Sequence, residues 1–182
     1  ENNTGIYICD VVGHGVTASL LTIFVRQSLR TIAKGNINLN KIMKELHKTF
    51  LSLNLDYDKY FSVFFGIYNK DSHVFKYVNA GHNSVPILIS GKDIKKLMLK
   101  GYPIANIFDN VDYIVEKVTL KVGDKILLYT DGITETTNSE GVQFGVDRLI
   151  NTIISDGNIL ENIKSSVNNF SIVHKDDYAV LL

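Results

Sequence analysis

The chain has 182 residues, 45% of them hydrophobic, and its 19 basic and 19 acidic residues cancel to a formal net charge of zero. That length suits one domain with a sizeable core. Balanced charge without a basic run excludes the electrostatic footprint of a nucleic-acid binder, so neither DNA nor RNA is expected as a partner.

Residues 5–12, "GIYICDVV", are rich in β-branched and aromatic types and predict a buried strand. It carries the only cysteine, Cys9, which excludes an intramolecular disulfide framework and argues for a reducing compartment or indifference to redox, with a buried and inert thiol; the expected location is cytoplasmic. Beyond Gly13 and Gly15, the residues Leu20, Leu21, Phe24, Val25, Leu29 and Ile32 recur at helical spacing and predict a helix over about 16–34. A second helix follows, with Leu39, Ile42, Met43, Leu46, Phe50 and Leu53 on one face. From Tyr60 two β-rich runs flank the polar turn "NKDS" and predict a hairpin. Strands are expected at 85–89, 112–120 and 123–130, helices near 145–155 and 158–170, and a last strand in "DYAVLL". Strands and helices in blocks, not in regular alternation, point to an α+β class. No apolar stretch reaches the roughly 18–20 residues of a membrane span, and "ENNTG" is no leader peptide, so no membrane is expected in this segment.

Three acidic positions stand at ends of predicted buried strands: Asp10 in "ICDVVGHG", Asp131 in "LLYTDGITE" and the pair Asp176-Asp177 in "HKDDYAVLL". Carboxylates buried there require a partner. With few Lys or Arg nearby, an oxygen-rich set favours a hard cation such as Mg²⁺ or Mn²⁺. Each acid alone also reads as ordinary turn chemistry beside a glycine. His14, between Gly13 and Gly15, either faces a polar site or is hydrogen-bonded at the helix start, and His82 in "NAGHNSVP" is expected to shape its loop. A zinc site, a G-x-S-x-G nucleophile elbow and a P-loop are all missing from the sequence.

Taken in order, "DVVGHG", "YVNAGHN" with "VPILI", "KVGDKILLYTDGITETTNSEGVQFG" and "KDDYAVLL" resemble the metal-dependent PPM-type (protein phosphatase 2C-like) serine/threonine phosphatases, specifically the bacterial SpoIIE/RsbU-like branch. The resemblance implies a four-layer α/β/β/α sandwich of two antiparallel sheets flanked by helices, forming a single domain over 1–182. It implies a binuclear Mn²⁺ or Mg²⁺ site in which Asp10 bridges the ions, the Val11 carbonyl ligates one, and Asp131 and Asp176 complete the protein ligands of the other, the three aspartates acting catalytically through metal-bound water. Asp177 then takes an outer or weaker-metal role, and Gly13 and Gly132 shape the backbone. His14 stands four residues after Asp10, where the eukaryotic relatives have a histidine two residues on, so the general-acid role is not transferred to it.

The implied reaction is hydrolysis of phosphoserine or phosphothreonine by a metal-bound water. The implied substrate is a phosphorylated anti-sigma-factor antagonist of the STAS type, and a homodimer is compatible with the family. The family's upstream acidic motif, G-G-D-[FY]-x-D-like, has no match in the nine residues before Asp10. The chain is therefore expected to be the N-terminally incomplete, C-terminal part of a longer regulatory protein, lacking its first strand, with fewer than two well-held ions and weakened activity. The competing reading is a catalytically weakened phosphatase-like module that acts by binding a partner, and a third is a sheet-rich domain whose aspartates are only turn residues.

Overall fold

A computed structural model describes residues 2–171 and 178–182, so the expectations for Asp176 and Asp177 fall outside the described residues. The chain divides into two compact units, Glu1–His82 with Leu99–Lys121 and Asn83–Met98 with Val122–Leu182.

In the first unit, the opening apolar run forms β1 (Asn3–Val11), followed by helices α1 (Val16–Ile32) and α2 (Leu39–Leu51). The Asn38 side chain caps α2 by accepting from Lys41 N at 3.0 Å. The predicted hairpin is β2 (Tyr60–Asn69) and β3 (Val74–Ala80). With β7 (Val115–Thr119) they make an antiparallel sheet in the order β1-β2-β3-β7, and the two-residue β6 (Ile104–Ala105) pairs with the start of β2. Strand alternation sorts β2 cleanly. Phe61, Val63, Phe65 and Ile67 join Val25, Met43, Leu46 and Phe50 of the helices in one core. On the opposite face Phe64 stacks on Tyr77 with centroids 5.5 Å apart, and Phe75 on Tyr77 at 5.8 Å. Gly66 is needed there, because a Cβ would lie 2.1 Å from Cζ of Phe75.

The second unit holds β4 (Ile87–Ser90), β5 (Asp93–Lys96), β8 (Lys125–Tyr129) and β9 (Val180–Leu181), antiparallel in the order β5-β4-β8-β9. Its helices are α3 (Asp131–Thr134), α4 (Gly145–Ile153) and α5 (Ile159–Phe170). Ile87, Leu127 and Tyr129 of the sheet pack with Leu149, Ile163 and Val167 of α4 and α5. Arg148 lies over the Phe170 ring, 4.9 Å from its centroid, while its Nη1 donates to the carbonyls of Gln143 and Phe144 at 2.9 Å. The guanidinium therefore closes the end of this core and tethers the entry to α4.

Two antiparallel sheets with flanking helices are what the α+β expectation required. Three local expectations are corrected. Among the described residues β1 has a strand on one side only, so only Ile8 in it is buried and the strand is not the fully buried one expected. The strand expected over 112–120 starts at Val115, because Tyr113 instead turns into the core, where its hydroxyl lies 3.2 Å from His47 Nδ1. Asp131 does not end a strand but opens α3. Among the described residues no helix is long and apolar enough to cross a membrane.

Candidate active site

The described site residues form two groups, one in each unit. In the first, the β1–β2 ladder runs through Asp10↔Ser62 and Val11↔Phe61, and Val12 N donates to Tyr60 O at 3.2 Å. That bond makes Val12–Tyr60 a hydrogen-bonded pair, so alternation leaves Val11 in a non-hydrogen-bonded one. The Val11 carbonyl consequently turns away from β2, toward the side of β1 that carries no strand among the described residues. Its side chain packs into the helix-covered core, as does Cys9. Asp10, between them, projects from the other face and is exposed.

Exposure of Asp10 corrects the expectation of a buried acid: at a sheet edge and a strand end water still reaches it. Beyond it the chain turns through Gly13 and Gly15, at φ +86° and +82°, and enters α1. A Cβ at either glycine would meet nothing within 4 Å, so glycine is favoured there by conformation alone and leaves the loop surface open to close approach. His14 is exposed between them. Cys9 is half-buried, with its thiol pushed up to about 11 by burial and, secondarily, by the Asp10 carboxylate, which keeps it protonated and unreactive near neutral pH.

"NAGHN" folds as a built corner beside this strand end. Asn79, buried at the end of β3, donates from Nδ2 to the carbonyls of His82 (3.0 Å) and Leu99 (2.7 Å), and its Oδ1 accepts from His82 N at 2.8 Å. Gly81 turns at φ +75°, where a Cβ would lie 2.6 Å from Pro103 N. A Cβ on Gly101 would lie 1.8 Å from the Asn79 carbonyl oxygen. The loop-shaping expectation for His82 thus fits its locked backbone, but the residue that does the locking is Asn79. An asparagine three residues before the locked amide is the local signal for such a side-chain-to-backbone clasp.

In the second unit, Asp131 is half-buried at the first position of α3. Its backbone carbonyl accepts from Glu135 N at 2.8 Å and from the Thr134 hydroxyl at 3.2 Å. Gly132 is buried, and its carbonyl accepts from Thr136 Oγ1 at 2.6 Å. Just before Asp131, Thr130 N donates to Ala179 O at 3.1 Å while its Oγ1 accepts from Ala179 N at 2.9 Å. Thr130 therefore clamps the end of β8 to the approach to β9, so the stretch carrying Asp131 is fixed by two strands and a helix turn.

Among the described residues no three His, Cys, Asp or Glu side chains gather as a metal cage, and Asp176 and Asp177 lie outside those residues. The donors that are described fit a hard cation by their chemistry: two carboxylates and a main-chain carbonyl that its own sheet does not use.

The family model described as "Stage II sporulation protein E (SpoIIE)" matches residues 1–182. The chain belongs to the SpoIIE family. It is 29% identical over 143 residues to phosphoserine phosphatase RsbU of Bacillus subtilis (strain 168), a match covering 78% of this chain and 42% of RsbU. The structure of the PP2C phosphatase domain, with a fragment of the regulatory domain, of the cell fate determinant SpoIIE from Bacillus subtilis superposes with a TM-score of 0.81 at 21% identity, over 98% of this chain and 53% of that one. RsbX, solved in complex with magnesium, superposes with a TM-score of 0.71 at 16% identity, over 99% of this chain and 80% of that one. This SpoIIE-family chain thus shares the PP2C fold and spans less than half the length of RsbU.

Proposed function

We propose that this chain is the catalytic part of a Mn²⁺- or Mg²⁺-dependent protein phosphatase that hydrolyses phosphoserine or phosphothreonine on a signalling protein, an anti-sigma-factor antagonist of the STAS type. The observation that carries the reading is the match of the SpoIIE family model to residues 1–182. The similarity to a phosphoserine phosphatase, RsbU, supports the substrate class.

In this reading the Asp10 carboxylate and the Val11 carbonyl would hold cations, and the Asp131 and Asp176 carboxylates would complete the protein ligands. Bound divalent ions supply a water of lowered pKa and offset charge on the phosphoryl oxygens. Gly13 and Gly15 keep the loop beside Asp10 free of side-chain bulk, which lets a phosphoprotein segment approach the main chain. Thr130 and α3 fix the backbone that carries Asp131, so its carboxylate binds without ordering a loop. Asp177 would take an outer or weaker-metal role, Gly13 and Gly132 would serve the backbone, and the acid role is not assigned to His14.

Turnover of p-nitrophenyl phosphate with added Mn²⁺ tests the reading. The protein is expected to show saturable, Mn²⁺-dependent turnover that Asp131→Asn lowers by at least about 100-fold, as loss of a metal-holding group should. Equal turnover with and without metal, or in the variant, would refute it.

A further inference from the structure

The turn that carries Asp131 is too short to hold itself. Helix α3 has four residues, Asp131–Thr134, and a helix of one turn is not stable without contacts from outside it. Its buried second residue, Gly132, shows where that contact is made. A continuing helix would give the Gly132 carbonyl the amide of residue 136, four positions on. Here it takes the hydroxyl of that same residue: Thr136 Oγ1 donates to Gly132 O at 2.6 Å. The side chain closes the turn while the main chain leaves it, and the Thr136 carbonyl accepts from Phe144 N at 2.7 Å. Thr136 is itself a fixed point. It is 8% exposed, and Phe144, 3% exposed, belongs to the core of the second unit. Thr137 pairs with Gln143 in an antiparallel bridge, so residues 136–144 form a small loop closed at its base. From α4, Arg148 Nη1 fastens the same base by donating to the carbonyls of Gln143 and Phe144.

We propose that Thr136 is a positioning residue for Asp131. Its hydroxyl ties the single turn of α3 to the fixed loop base, so the main chain of Asp131 is set before a cation arrives. It touches neither the cation nor the phosphoprotein. Without the hydroxyl the buried Gly132 carbonyl loses its donor, and the turn loosens to hydrate it. The inference rests on the proposed metal-holding role of Asp131, but the loosening of the turn is measured without metal.

Two measurements test it on the wild type, Thr136→Val, Thr136→Ser and Thr136→Ala, with Thr152→Val as the control. The control removes another buried hydroxyl of the same unit, one that donates to Arg148 O within α4. Hydrogen exchange of the Glu135 amide, which donates to Asp131 O, reports the turn in the metal-free protein, and calorimetric titration of Mn²⁺ reports the cation site. Thr136→Val is expected to speed that exchange about tenfold or more and to weaken Mn²⁺ affinity by roughly 10-fold. Thr136→Ser, which keeps the donor, should stay within about threefold of the wild type in both. Thr136→Ala leaves room for a water at the carbonyl, so it serves where valine does not fold, and it should shift both readouts in the same direction. Thr152→Val should shift neither. Unchanged Glu135 exchange in Thr136→Val or Thr136→Ala, or an equal shift in Thr152→Val, overturns the inference and leaves the phosphatase reading intact. Faster exchange with wild-type Mn²⁺ affinity overturns the positioning role in the same way. A wild type that binds no Mn²⁺ overturns the phosphatase reading, and this inference with it.

Discussion

Replacing Asn79 with alanine removes the clasp that shapes the "NAGHN" corner. Three hydrogen bonds go at once: Nδ2 to His82 O, Nδ2 to Leu99 O, and Oδ1 from His82 N. Two of the three backbone groups belong to buried His82 and the third to half-buried Leu99. A buried backbone group deprived of its partner costs about 1–3 kcal/mol. Water can reach Leu99 more readily than His82, so the total comes to about 3 kcal/mol. For a chain of 182 residues each kcal/mol moves the melting temperature by roughly 2–4 °C, so Asn79→Ala should melt about 6–12 °C below the wild type. Asn79→Asp sharpens the test. It keeps the acceptor for His82 N but turns a carboxylate oxygen toward two carbonyl oxygens, so near neutral pH it should be at least as damaging as alanine. Part of its loss should return as the pH falls and the acid protonates, because only the protonated form can donate. Thermal melts of both variants followed by circular dichroism are the assay. An Asn79→Ala melt within about 2 °C of the wild type would refute the clasp.

Two further outcomes follow from packing and from buried acids. Gly101→Ala should lose about 2–3 kcal/mol in urea unfolding, because its Cβ would meet the Asn79 carbonyl oxygen and only backbone movement relieves that contact. Gly13→Ala, with open space around the Cβ, should lose only the roughly 1 kcal/mol of a left-handed residue, and equal losses in the two variants would contradict the steric argument. On the alkaline side, burial raises the Cys9 thiol to about 11 and the Tyr129 phenol to about 12, and also raises Tyr113. The unfolded chain then loses these protons first, so the stability they contribute is fully present below the ordinary values of 9 and 10 and is lost as pH rises toward 11 and 12. Urea midpoints should be level from about pH 7 to 8.5 and fall steadily above about pH 9, and a midpoint that rises with pH there would have the sign wrong.

Elements whose pattern is local were legible in the sequence. Helices α1 and α2 announce themselves through Leu21, Val25, Leu29 and through Ile42, Met43, Leu46, and the β2–β3 hairpin through its polar turn. Strands β5 and β6 were not. The first is the polar "DIKK", and the second is two residues long and exists only because Ile104 finds Phe61 far away in the chain. Nothing local distinguishes such segments from loop.

The site divides the same way. Asp10 and Asp131 were found by residue type and motif, yet the exposure of Asp10 was misjudged, because an apolar strand reads as buried whether it lies at an edge or in the centre of a sheet. Asn79 and Thr130 escaped notice because each acts through a partner set by a fold-back of the chain, Thr130 through Ala179. Asn79 binds His82 three residues on, but also Leu99, which only the fold brings to it.

The central claim is that the chain removes phosphate from phosphoserine through cations held by Asp10 and Asp131. Phosphate release from a phosphoserine-bearing protein, measured with Mn²⁺, then with EDTA added, and with Asp131→Asn in place of the wild type, tests it most directly. The account predicts steady release with Mn²⁺ and near-background release in the other two. Release that persists undiminished in EDTA or in Asp131→Asn would contradict it.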